Sequence, residues 1–220
     1  MLFRSLDPRR PKDQPLAFSL QPPTIPEVLG PDVQELPFGP VRAGVVEAGQ
    51  FFFFYIGEHI LHYRPRLFFK HRGMEKRFEG VTSALGAVLA ERVSGVGSVA
   101  HALAYCEAVE AAAALRPPPR ARTLRVVLAE LERLYNHLHY LGHLADATTL
   151  KVGHAEGALL AERLKQLNAR LTGSRFLRNL LVPGGLRRDL AVDSNLARTL
   201  AELQPAVHDY IVNLERTTSY

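Results

Sequence analysis

Leucines recur at three- and four-residue spacing along the second half of the chain, and that spacing predicts long amphipathic helices. Leu124, Leu128, Leu131, Leu134, Leu138 and Leu141 form one stripe. Leu160, Leu164, Leu167 and Leu171 form a second, ended by Gly173, a residue suited to the left-handed turn that closes a helix. An alanine-rich helix over 103–115 stops at Pro117-Pro118-Pro119. Prolines also fit the first turn of the helix that follows. Pro183-Gly184-Gly185 reads as a turn, and a last helix is expected over about 195–214. The helical pattern begins near residue 72.

The first third reads differently. The run Phe51-Phe52-Phe53-Phe54-Tyr55-Ile56 is strand-sized. Segments 43–48 and 51–56 flank Gly49-Gln50, which suggests a hairpin. Residues 59–69 fit a third strand, kept at an edge by Pro65. Residues 1–40 carry nine prolines, from Pro8 to Pro40. Proline lacks a backbone donor and fixes φ, so this segment is neither helix nor central strand, and is expected to be an extended arm. The predicted class is α+β, mainly α: a small antiparallel β element at about 41–70 feeding a helical bundle at about 71–220. No internal repeat interrupts this order.

Composition narrows the setting. A chain of 220 residues with 47% hydrophobic and 22% charged side chains can bury a core and is ordinary for a globular protein. No apolar run is long enough to cross a bilayer, and the first residues lack the apolar core of a signal peptide. The single cysteine, Cys106, excludes an intramolecular disulfide and an all-cysteine metal cluster. On the alanine-rich helix it reads as a small buried hydrophobe. These features predict a cytoplasmic location. The net charge of +5 is scattered instead of forming a stripe, so it reads as a solvated surface. Aromatic–basic interleaving and a recognition helix are both missing, so no nucleic-acid partner is expected. The chain has no Walker-type phosphate loop, no Gly-x-Gly-x-x-Gly and no nucleophile–base spacing.

The segment Glu91-Arg92-Val93-Ser94-Gly95-Val96-Gly97-Ser98-Val99-Ala100-His101 carries the chemistry by what it lacks. It resembles the first metal loop of nickel–iron hydrogenase large subunits, Arg-x-Cys-Gly-x-Cys-x-x-x-His, with Ser94 and Gly97 at the two cysteine positions. Soft, redox-active metals need thiolate donors, so no nickel and no other metal is expected here. His71-Arg72-Gly73-Met74-Glu75-Lys76 resembles the family's His-Arg-Gly-x-Glu-Lys motif. Glu130-Leu131-Glu132-Arg133-Leu134-Tyr135-Asn136-His137-Leu138 resembles its Glu-Leu-x-Arg-x-x-x-His-Leu helix. Gly39-Pro40-Val41-Arg42, Leu171-Thr172-Gly173-Ser174-Arg175 and Gly184-Gly185-Leu186-Arg187-Arg188-Asp189-Leu190 follow in family order. The details lean towards the formate hydrogenlyase and energy-converting hydrogenase branch, which is related to the 49 kDa subunit of respiratory complex I.

The resemblance implies a fold like the N-terminal half of hydrogenase large subunits, stopping before the family's second cysteine pair. It implies a subunit of a complex I-related oxidoreductase, peripheral on the cytoplasmic face of the inner membrane, rather than a complete enzyme. The implied partners are membrane subunits and an iron–sulfur small subunit with a [4Fe–4S] cluster; this chain alone would bind no cofactor. Arg72 and His137 would face that cluster, with His137 as the redox-linked proton acceptor. A quinone is a further expectation of the family, though Gly95 stands at complex I's tyrosine position, Arg42 at its histidine, and Asp146 about one residue out of register. The competing expectation is a structural or assembly pseudo-subunit.

Plainer readings stand beside these. His137, next to Leu134, Leu138 and Leu141, could be a core histidine. Arg72 could pair with Glu75 or Glu79. His139 and His143, at i and i+4, could chelate a metal, but read better as surface residues. His59 and His62, at odd spacing on a strand, should point to opposite faces. His101 is expected to serve packing.

Overall fold

A computed structural model describes Val28, residues 30–41 and residues 48–217. The chain divides into two compact units, residues 1–71 and 72–220.

The first unit holds a three-stranded antiparallel sheet, β1 (Gln34–Phe38), β2 (Gln50–Ile56) and β3 (His59–Arg66), in that spatial order. Two sequence expectations need correction. The tight turn joins β2 to β3 at Gly57-Glu58, where Gly57 takes φ 59°, and not at Gly49-Gln50. Residues 42–47 of the expected first strand lie outside the described residues. The end of the proline-rich arm is a strand: Leu36 faces Phe53 and Phe38 faces Phe51. Its Pro37 is tolerated because β1 is an edge. β3 occupies the other edge, as Pro65 predicted. Phe38, Phe51, Phe53 and Tyr63 stack on one face, the Phe53 and Tyr63 rings 5.1 Å apart. On the other, Phe54 pairs with His62 and the Arg64 guanidinium lies 5.6 Å from the Phe52 ring. A bulge between these strands changes the histidine geometry. His59 pairs with Ile56 and His62 with Phe54. Ile56 and Phe54 share a face, so both histidines do too, contrary to the odd-spacing rule.

The second unit is helical: α1 (Met74–Arg77), α2 (Ser83–Ala90), α3 (Ser98–Ala112), α4 (Pro119–Ala147), α5 (Lys151–Thr172) and α6 (Ser194–Glu215). Between α5 and α6, a two-stranded hairpin of β4 (Leu181–Val182) and β5 (Gly185–Leu186) turns at Pro183-Gly184. The helices start and stop for readable reasons. Thr82 accepts from Leu85 N to cap α2, and Asp193 accepts from Asn195 N and Leu196 N to cap α6. Pro119 opens α4, and Gly173 closes α5 at φ 72°.

The leucine stripes meet as predicted. Leu124, Leu128, Leu131 and Leu138 of α4 are buried with Leu160, Leu164 and Leu167 of α5, and Leu203, Tyr210 and Leu214 of α6 join them. A Cβ on Gly157 would fall 2.9 Å from Gly142 Cα and 2.5 Å from the Tyr210 hydroxyl. Bare backbone at both positions is therefore what lets α4 and α5 approach there.

A buried ion pair ties α3, α4 and the hairpin together. Arg125 donates to both Glu110 carboxylate oxygens at 3.0 and 2.6 Å, and to Val182 O and Gly185 O. Glu110 also accepts from Gly184 N at 2.6 Å. Hydrogen bonding from Arg125 holds the Glu110 carboxyl below its ordinary range.

The vacated metal loop and its surroundings

The loop joining α2 to α3 ends at Gly97, the residue before α3. Its shape brings Ser94, Gly97 and His101 together. A Cβ on Gly97 would lie 3.2 Å from His101 Cδ2 and 3.9 Å from Ser94 Cβ. The imidazole thus lies against the position from which a second thiolate would project. The Ser94 hydroxyl accepts from Val96 N at 3.4 Å. One hydroxyl, one imidazole and a bare glycine do not make a thiolate donor set, and the residues of this loop do not fit nickel.

The loop is held from several sides. Arg72 donates to Arg92 O at 3.0 Å and to Val93 O. Asn136 of α4 donates to Val96 O at 2.6 Å. Glu132, buried on α4, accepts from Val99 N and Ala100 N at 2.8 and 2.9 Å. It thereby caps the first turn of α3, which Gly97 has no side chain to cap. Arg178 donates to the Ser98 hydroxyl at 3.2 Å. Glu91, 2% exposed, accepts from Asn179 N at 2.6 Å. Burial pushes both Glu91 and Glu132 above the ordinary carboxylate range, against the opposing pull of these backbone donors.

The sequence-predicted residues fall as follows. Arg72 is exposed and uses its fork on loop carbonyls. Glu79, one of its expected partners, bonds Lys76 at 2.5 Å. His137 is exposed, which overturns the core-histidine reading, while its neighbour Asn136 holds the loop. Cys106 is buried as expected, and burial pushes its thiol up to about 11.

His139 and His143 are exposed, with ring centroids 4.5 Å apart. His154 of α5 brings a third imidazole 6.1 Å from His143, its Nδ1 bonded to Gly142 O at 3.0 Å. Nothing in the spacing of 143 and 154 announced that neighbour. Among the described residues, no three His, Cys, Asp or Glu side chains are placed to hold a metal ion.

Sequence reasoning also missed Glu132 and Arg125. Each is a charge at a position that the leucine stripe should have kept apolar, and that was their signal. Arg42 lies outside the described residues.

In chain order a small antiparallel sheet is followed by a helical unit, and the α2–α3 loop of that unit is the segment that resembles the hydrogenase metal loop. Residues 72–170 match the family model of nickel-dependent hydrogenases, and the chain carries a domain of that family. It is 37% identical over 172 residues to formate hydrogenlyase subunit 5 of Escherichia coli, covering 76% of this chain and 30% of that protein. It is 36% identical to hydrogenase-4 component G of the same organism, over 75% of this chain and 30% of the relative. NADH-quinone oxidoreductase subunit 4 of Thermus thermophilus is 31% identical over 86% of this chain and 47% of its own length. A chain of the membrane-bound sulfane sulfur reductase, an archaeal respiratory membrane complex, shares the fold at TM-score 0.76 and 24% identity, covering 85% of this chain and 51% of that one. The chain thus spans less than half the length of these curated relatives. Among the described residues, no helix is long and apolar enough to cross a membrane.

Proposed function

We propose that this chain is a large-subunit-like component of a complex I-related, membrane-associated oxidoreductase. It docks an iron–sulfur small subunit, helps couple electron transfer to protonation, and works without nickel. It sits on the cytoplasmic face of the inner membrane and reaches the membrane through partner subunits. One observation carries the reading: the loop that resembles the hydrogenase metal loop is held in place by Arg72, Glu132 and Asn136 while its thiolate positions are Ser94 and Gly97.

A [4Fe–4S] cluster in the partner would supply one-electron transfer. This chain contributes charge and a proton site. Arg72 presents a fixed positive charge beside the loop, and a cation near an acceptor favours the more negative, reduced state. His137 presents an exposed imidazole that can take a proton at a ring nitrogen, and nearby negative charge strengthens its hold.

The backbone bonds of Arg72 and Asn136 favour a second reading, a structural pseudo-subunit, because they would be needed without any chemistry. Redox titration of the partner cluster in the purified complex separates the two. His137→Ala is expected to flatten the pH dependence of the midpoint potential, and Arg72→Ala to lower the potential itself. Unchanged potentials and pH slopes in both variants would leave only the structural role.

A further inference from the structure

A cleft of about 430 Å³ opens between the C-terminal turn of α5 and the segment running through the hairpin, lined by Arg178, Arg187 and Arg188 together with Ser174 and Asn179. The partners of these arginines set them apart. Elsewhere in this unit, Arg120 pairs with Asp189, Arg125 with Glu110 and Arg175 with Glu162. The three cleft arginines have no carboxylate at ion-pair distance among the described residues. Two are positioned by neutral acceptors: Arg178 by the Ser98 hydroxyl, with its guanidinium 5.4 Å from the Phe176 ring, and Arg188 by Thr172 O. The Arg187 side chain makes no hydrogen bond or ion pair among the described residues. The opposing charge is Glu91, a buried carboxylate that accepts from Asn179 N and whose second oxygen makes no hydrogen bond but lies 3.5 Å from the Arg92 guanidinium. One carboxylate against three guanidiniums leaves the cleft positive.

We propose that this cleft binds a phosphate-class oxyanion. Guanidinium forks match pairs of oxygens on a tetrahedral anion, and fixed forks lose little entropy on binding one. The volume admits either a free ion or a phosphoryl group carried on a larger molecule. The site owes nothing to the redox reading and stands or falls apart from it.

Calorimetric titration of the full chain tests it, with inorganic phosphate in one arm and adenosine monophosphate in another. Chloride at matched ionic strength and a glutamate-rich peptide are the controls. Saturable one-site binding is expected in at least one phosphate arm. If inorganic phosphate suffices, the ligand is the free ion; if only the nucleotide binds, the phosphoryl group arrives on a carrier. Arg187→Ala should weaken binding about tenfold or more, the loss of one charge-assisted contact. It should leave the ligand-free unfolding midpoint unchanged, because that side chain holds nothing. Arg187→Lys, which keeps the charge and loses the fork, should fall between. Heats no larger than those of chloride, binding by the acidic peptide alone, or an unaltered affinity in Arg187→Ala would each overturn the proposal.

Discussion

Replacing Arg125 with methionine tests how the second unit is held together. The side chain makes four hydrogen bonds, two to Glu110 and one each to Val182 O and Gly185 O. Its exposure is 5% and that of Glu110 is 7%. Methionine fills much of the space but leaves a buried carboxylate with only Gly184 N as donor. Breaking one side of a buried pair costs about 3–5 kcal/mol, a large share of the roughly 5–15 kcal/mol that holds a domain folded. With a urea slope of about 2 kcal/mol per molar, the midpoint should fall by about 1.5–2.5 M. The double variant Arg125→Met/Glu110→Leu removes the stranded charge and should recover much of the loss. The pH dependence has a defined sign. Arg125 depresses the folded pKa of Glu110, so the pair's stabilisation is full above the unfolded carboxylate value, near pH 4.3, and lost as pH falls through the lower folded value. An Arg125→Met midpoint within about 0.3 M of the parent, near the ordinary range for a surface change, would refute the reasoning.

Other consequences are equally direct. Gly157→Ala should lose about 1–2 kcal/mol in urea unfolding, because overpacking against Gly142 and Tyr210 outweighs the helix propensity of alanine. Gly153→Ala, whose added Cβ would meet side-chain carbons of Leu150 and Leu214 at 3.0–3.2 Å and no backbone, should cost less than Gly157→Ala, about 0.5 kcal/mol. Glu132→Gln should reduce the decline in stability as pH rises above the unfolded carboxylate value, about pH 4.3, since a carboxyl whose pKa burial raises weakens the fold as it ionises; an identical pH profile would contradict its burial as an acid. Cys106, pushed to about 11 and fully buried, should react with iodoacetamide at least about a hundredfold more slowly than a free thiol in the folded protein. Rapid labelling without unfolding would show that the α3 core opens.

What the sequence disclosed followed periodicity. Leucine spacing marked α4 and α5, prolines marked the break before α4, and Gly173 marked an end, because each acts through the local backbone. The β element was read less well. Gly49-Gln50 and Gly57-Glu58 are both credible turns, and only pairing with β1 decides between them; prolines hid β1 itself. The His59/His62 reversal depends on a bulge, which spacing cannot show. Arg125–Glu110 and Gly142–Gly157 join residues fifteen positions apart in the chain, and only packing brings them together. At the site, motif order found the loop and its empty thiolate positions. It did not find what supports them: Glu132 capping α3, Asn136 on Val96 O, and Glu91 on Asn179 N.

The central claim concerns a nickel-free subunit beside an iron–sulfur partner. Its most direct test is purification of the tagged protein from its native membranes, followed by iron and nickel analysis and identification of the co-purifying subunits. Iron with a cluster-bearing small subunit and membrane subunits, and no nickel, is the predicted result. A metal-free protein emerging alone, or stoichiometric nickel in the complex, would contradict the account.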